Sequence, residues 1–152
     1  MAKAAPSAVI LSLGGPRLVQ ADQCARIFVD ARRSAFTWVD PRQFIPEDFE
    51  AETEDEEIWI AECDGRVLGF ASLWLENGGN FLHHLFVDPP EHRRGIGSLL
   101  LERSLQRLGR PATLKCLEAN TVARAFYVKH GWRVVERGDS ELGPYLLYLK
   151  SD

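Results

Sequence analysis

The sequence lacks the pieces that define several protein classes. Its 152 residues hold three cysteines, Cys24, Cys63 and Cys116, and no C-x-x-C pair. An odd, scattered set gives no disulfide framework and no zinc-finger spacing, and it fits a reducing compartment. The apolar stretch "AVILSL" at residues 8–13 falls far short of the roughly 20 residues a membrane helix needs. It also lacks a small-residue cleavage site, so no secretory leader is expected. The net charge of −4 gives no nucleic-acid footprint for the whole molecule. Neither G-x-x-x-x-G-K-[ST] nor G-x-G-x-x-G occurs, which removes the P-loop and the Rossmann dinucleotide turn. These absences leave a cytoplasmic protein without membrane or nucleic-acid partners as the expectation.

What is present is ordinary in bulk. Apolar residues make up 45% and charged residues 26%, as in a soluble globular chain. The length suits one domain over residues 1–152, with residues 1–7 as a loose tail. The charge is uneven, however. Residues 47–57, "EDFEAETEDEE", carry eight of the 22 acids and no base, so the remainder has 14 acids against 18 bases. Such a run is a solvated face or an acidic rim that draws in a cationic partner.

Periodicity predicts a strand over residues 9–13 and a helix over 21–36, where Cys24, Ile27, Phe28, Ala31 and Ala35 recur at helical spacing. Residues 37–46 read as a loop, and the acidic run allows a short second helix. Residues 57–63 alternate as a strand, Asp64-Gly65 is a hairpin turn, and 66–76 return. Asn77 to Gly79 make another turn and 80–87 a third strand. Ile96, Leu100, Leu101, Leu105 and Leu108 mark a helix that Gly109 and Pro111 end. A strand over 112–118 follows. Since a helix separates it from the strand at 80–87, those two should run parallel. Asn120 is a fair N-cap for a helix over 121–130 with Gly131 at its C′ position, and two strands close the chain.

Two stretches carry chemistry. "EHRRGIGSLL", residues 91–100, places Arg-Arg-Gly-x-Gly at a helix start. The first N–H groups of a helix have no internal partner, the dipole is positive there, and glycine lets an anion approach the backbone. That suits a pyrophosphate, although such turns also arise before ordinary core helices. The second stretch, "NTVARAFYVKHGW" at residues 120–132, follows N-x-x-A-x-x-F-Y-x-x-x-G-[FW].

Together with "LFVDPPEHRRGIGSLLL", this pattern resembles the GCN5-related N-acetyltransferase (GNAT) superfamily across about a third of the chain. The resemblance implies an α/β mixed sheet of about seven mostly antiparallel strands, with a central parallel pair and about four helices on both faces. It implies acetyl-CoA as cofactor, held by the turn His92, Arg93, Arg94, Gly95, Ile96, Gly97 and Ser98. His92 stands where the family usually has Gln or Arg. The strand backbone at Leu85, Phe86 and Val87 would pair with the pantetheine arm, and Asn120 would contact it. Tyr127 matches the tyrosine that protonates the leaving thiolate. A free thiol near pKa 8.5 and a phenol near 10 make that transfer uphill by about 1.5 units, a gap a site can offset.

The acceptor amine must lose a proton, and a histidine suits that task. "FLHHLFV" offers His83 and His84. Neighbours on a strand point to opposite faces, so at most one of them should face the cleft. The resemblance implies His83 as the base, because it falls where the arylalkylamine branch of the family has a cleft histidine; a hydrogen-bonded structural histidine is the other reading, and a bulge could exchange the two. Opposite faces also argue against a shared metal, and none is expected. Glu76, Glu118 and the acidic run hold rival bases. Lys115 stands where the ribosomal-protein branch of the family has its glutamate, so this is not a copy of that enzyme. Trp38, Phe44 and Trp74 are candidates for acceptor-site walls. The expected activity is direct acetyl transfer in a ternary complex to a primary amine of a small molecule or peptide. The rivals are a non-catalytic acyl-CoA-binding module and a protein N-acetyltransferase; a homodimer rests on analogy alone.

Overall fold

The computed structural model describes residues 9–14 and 19–152. The expected tail and the Gly15-Pro16 stop signal lie outside the described residues. Strands run over Ile10–Gly14 (β1), Glu57–Cys63 (β2), Arg66–Trp74 (β3), Phe81–Val87 (β4), Ala112–Leu117 (β5), Arg133–Ser140 (β6) and Gly143–Lys150 (β7). Helices span Ala21–Ala35 (α1), Glu47–Thr53 (α2), Ile96–Leu108 (α3) and Thr121–Lys129 (α4). The seven strands form one sheet in the order β1-β2-β3-β4-β5-β7-β6. All pairs are antiparallel except β4 with β5.

Local chemistry explains the joints. Asp64 and Gly65 both have positive φ (52° and 78°), as a type I′ hairpin turn requires. The Asn120 side chain accepts the Ala123 N–H and starts α4. Gly131, at φ 85°, lets the chain leave that helix.

The two faces of the sheet are covered differently. α1 and α2 bring Cys24, Ile27, Phe28 and Phe49 onto Ile58, Ile60, Val67 and Phe70. α3 and α4 bring Ile96, Leu100, Leu101 and Tyr127 onto Leu68, Leu73, Leu82 and Leu114. Fully burying one such aliphatic or aromatic side chain stabilises by about 1.5–3 kcal/mol, so both layers anchor the sheet.

Two irregularities in β4 matter most. The parallel pairing with β5 is confined to Phe81↔Thr113 and Leu82↔Leu114, after which the strands diverge. The edge of β4 from His83 to Val87 therefore has no strand partner on the β5 side. On its other side, Leu73 pairs with Leu82 but Ser72 pairs with His84, so His83 is an extra residue in a β-bulge.

Candidate active site

The β4-to-α3 turn is held by ion pairs. Asp88, 4% exposed, receives Arg26 of α1 at 3.1 Å. Buried Glu91 receives both Arg66 and Arg94, which hold its carboxyl below the usual range, Arg94 contributing most. Arg94 is thus engaged within the turn. Arg93, at φ 69°, is exposed and makes no ion pair among the described residues. Gly95 adopts the left-handed conformation at φ 80° as it enters α3, where other residues are strained.

The Leu99 N–H bonds back to the Gly95 carbonyl at 3.1 Å, so the outward amides of the first turn are those of Ile96, Gly97 and Ser98. The Ile96 side chain is core, 1% exposed, and only its backbone faces the turn. A Cβ on Gly97 would stand 3.5 Å from Phe126, so a larger residue there would press on α4. The Ser98 hydroxyl and His130 Nε2 lie 2.9 Å apart and tie α3 to α4. His92 Nε2 lies 3.0 Å from the Val87 carbonyl, so this side chain braces the end of β4. The set of backbone donors and arginines can cradle a polyanion.

Leu85 and Val87 point to the α3 side and Phe86 to the α1 side. Asn120 spends its carbonyl oxygen on the cap, which leaves its amide N–H groups to donate elsewhere. Tyr127 sits 8% exposed in the α3/α4 layer, against Phe126, Trp132 and Tyr148. Burial raises its phenol pKa, with Cys116 and Tyr148 adding to the rise. The adjacent Cys116 thiol is pushed by the same burial from 9.0 to about 11. Desolvation disfavours both anions, so a thiol delivered here is shifted in the same direction as the phenol. The gap between the two decides proton transfer.

The histidines correct the alternation argument. His83 and His84 do not point to opposite faces: their rings stack with centroids 3.8 Å apart. The bulge turns His83 onto the α1/α2 side, where His84 packs edge-on against Phe28 at 5.0 Å. The premise used against a shared metal thus fails. One ligand atom from each of Glu52, His83 and His84 lies within 4.8 Å of the others.

His83 Nδ1 is 2.6 Å from Oε2 of Glu56, whose side chain is 4% exposed. Burial holds His84 well below the ordinary imidazole value, and His83 and Arg32 lower it further, so it is neutral at pH 7. Burial pushes the Glu52 carboxyl up against the pull of Arg32, which lies 3.4 Å away. Arg32 itself is clasped between the rings of Phe28 and Phe44 at 4.4 Å.

Glu52 and Glu56 were not singled out within the acidic run; a helix end followed by a strand entry is the only signal that sets them apart. Beside them a groove of about 370 Å³ is lined by Asp55, Glu56, Glu57, Leu73, Leu75 and Glu76. Of the other candidates, Phe44 is core at 1% exposed and Trp38 donates to the Leu142 carbonyl at 2.8 Å. Lys115 lies over the Tyr145 ring, and exposed Glu118 pairs with Arg137.

The model of the acetyltransferase (GNAT) family matches residues 23–132, from within α1 to just past α4. The chain belongs to that family. A curated relative, the peptidyl-lysine N-acetyltransferase YiaC of Escherichia coli, is 36% identical over 95 residues, which cover 62% of this chain and 62% of the relative. The chain thus matches less than two thirds of that relative's length. The solution structure of apo YjaB from E. coli superposes with a TM-score of 0.76 at 22% identity, covering 92% of this chain and 97% of that one. The PaiA N-acetyltransferase of Thermoplasma acidophilum, in complex with coenzyme A, gives 0.73 at 16% identity over 93% and 99%. These likenesses establish a GNAT fold. No helix among the described residues is long and apolar enough to cross a membrane.

Proposed function

We propose that this GNAT chain is an acetyl-CoA-dependent N-acetyltransferase acting on a primary amine, with a lysine side chain of a peptide as the favoured acceptor. One observation carries the reading: β4 and β5 part after Leu82 and Leu114, Tyr127 is buried in the layer on one face of the sheet, and the His83–Glu56 pair lies on the other face. In this reading the turn of Arg93, Arg94, Gly95, Ile96, Gly97 and Ser98 takes the pyrophosphate. The free edge of β4 at Leu85, Phe86 and Val87 takes the pantetheine arm, and Asn120 donates to it.

The thioester then reaches the gap. His83, backed by Glu56, removes the amine proton. The nitrogen attacks the carbonyl carbon, the C–S bond breaks, and Tyr127 gives its proton to the sulfur. The acidic groove beside Glu56 suits a cationic acceptor by long-range attraction. A lysine acceptor is also supported by the named activity of YiaC, which is peptidyl-lysine N-acetylation.

The test is initial-rate thiol release, with product mass, on lysine peptides and on small amines. Acetylated peptide at a rate above that of small amines is the expected result. Binding of acetyl-CoA with no transfer to any amine would instead leave a non-catalytic module.

A further inference from the structure

The bulge in β4 has gathered an unusual set of side chains. Among the described residues, four buried side-chain polar atoms lack a hydrogen-bond partner, and three belong to this one corner: Glu56 Oε1, Ser72 Oγ and His84 Nε2. Ser72 stands opposite His84 in the β3–β4 register, so it shares that face. Each orphaned buried group costs about 1–3 kcal/mol, and His84 Nε2 is the one of the three that a bound ion would satisfy directly.

The spacing bears on which ligand would fit. His84 Nε2 and Glu52 Oε1 are 3.6 Å apart, too far for a hydrogen bond. Two ligands bound to one zinc ion at 2.0–2.1 Å with a tetrahedral angle stand about 3.3 Å apart. The pair is therefore at the separation of two ligands sharing an ion. Glu56 holds Nδ1 of His83 and so leaves its Nε2 to coordinate. A carboxylate behind a ligating histidine is the usual way such a ring is oriented.

We propose that Glu52, His83 and His84 form a site for one borderline transition-metal dication of the zinc class, with Glu56 positioning His83. Two imidazoles and one carboxylate leave a fourth place open to water. Among the described residues, Arg32 is the one arginine or lysine paired with Glu52, and it engages Oε2 and leaves Oε1. On the proposed acetyl-transfer reading, the ion would also cover the base and compete with the acceptor amine; metal binding itself does not depend on that reading.

The test uses the full chain, stripped with chelator and free of CoA. Zn²⁺ is titrated by calorimetry and Co²⁺ by its visible d–d absorption. One equivalent should bind, and Zn²⁺ should displace Co²⁺. Glu52→Gln and His83→Gln, at side chains 37% and 34% exposed, should fold and should each weaken binding. Glu56→Gln should weaken it by about 10- to 100-fold. Melting curves of the apo proteins control for folding, and Cys63→Ser should leave the affinity unchanged.

Absence of stoichiometric binding would overturn the proposal and leave a bridging water as the partner of these atoms. So would binding that survives both Glu52→Gln and His83→Gln, or a sulfur-to-cobalt band lost in Cys63→Ser. Metal binding by a chain that, metal-free, transfers no acetyl group would refute the activity alone; transfer without metal binding would refute the site alone.

Discussion

Replacing Glu56 by Gln tests the base most sharply. The substitution keeps the shape of the side chain and removes the charge that faces His83 Nδ1 at 2.6 Å. As the amine loses its proton, the ring becomes an imidazolium, and the carboxylate stabilises that state through a charge-assisted bond. Such bonds are worth about 1.5–3 kcal/mol, or roughly 10- to 150-fold in rate. His83 is 34% exposed, so water screens the pair and the lower end applies. We therefore expect kcat/KM for the amine to fall about tenfold, with acetyl-CoA affinity unchanged. The assay is initial-rate thiol release at saturating acetyl-CoA in chelator-treated buffer, so that no metal occupies the histidines. An unchanged kcat/KM, or a loss confined to the KM for acetyl-CoA, would refute the assignment of His83 and Glu56 to the proton-removing step.

Other consequences are as specific. Tyr127→Phe should lower kcat by about a hundredfold or more while leaving the Kd for CoA alone, read by single-turnover kinetics and calorimetry; an undiminished kcat would remove the tyrosine from the chemistry. Gly95→Ala meets open space but must adopt φ 80°, at a cost of about 1–2 kcal/mol, so Tm should fall by roughly 2–8 °C; an unchanged Tm would contradict that strain. Glu91 has its folded-state pKa depressed by Arg94 and Arg66, so its stabilisation is complete above the ordinary carboxyl value of about 4.3 and is lost as the pH falls towards the lower folded value. Glu91→Gln should thus lower Tm at neutral pH and flatten the acid limb of a Tm–pH curve. Parallel curves would mean that these ion pairs contribute nothing.

The fold was largely legible because its signals are local. Asp64-Gly65 demands a I′ turn, Asn120 and Gly131 bracket α4, and the leucine spacing of α3 has one reading. The family motifs rest on the same stretches, and Ile96, Tyr127, Leu85 and Val87 share one apolar layer. The acceptor side was less legible. Strand alternation fails at a bulge, and a bulge is fixed by the pairing of β3 with β4 across the sheet rather than by "FLHHLFV" itself. That single extra residue turned two histidines expected on opposite faces into a stacked pair. Glu52 and Glu56 were hidden for another reason. In a run of eight acids, composition reads as solvent-facing, and burial of one carboxylate depends on where α2 ends above β4. Phe44, a candidate wall for which the core was the more ordinary place, lies in the core.

The most direct measurement is a thermal-shift titration with acetyl-CoA, desulfo-CoA and ATP. The account predicts stabilisation by both CoA forms, growing with the logarithm of ligand concentration above Kd, and none by ATP. No shift with either CoA form at concentrations far above a micromolar Kd would contradict the cofactor site, and the proposed transfer would fall with it.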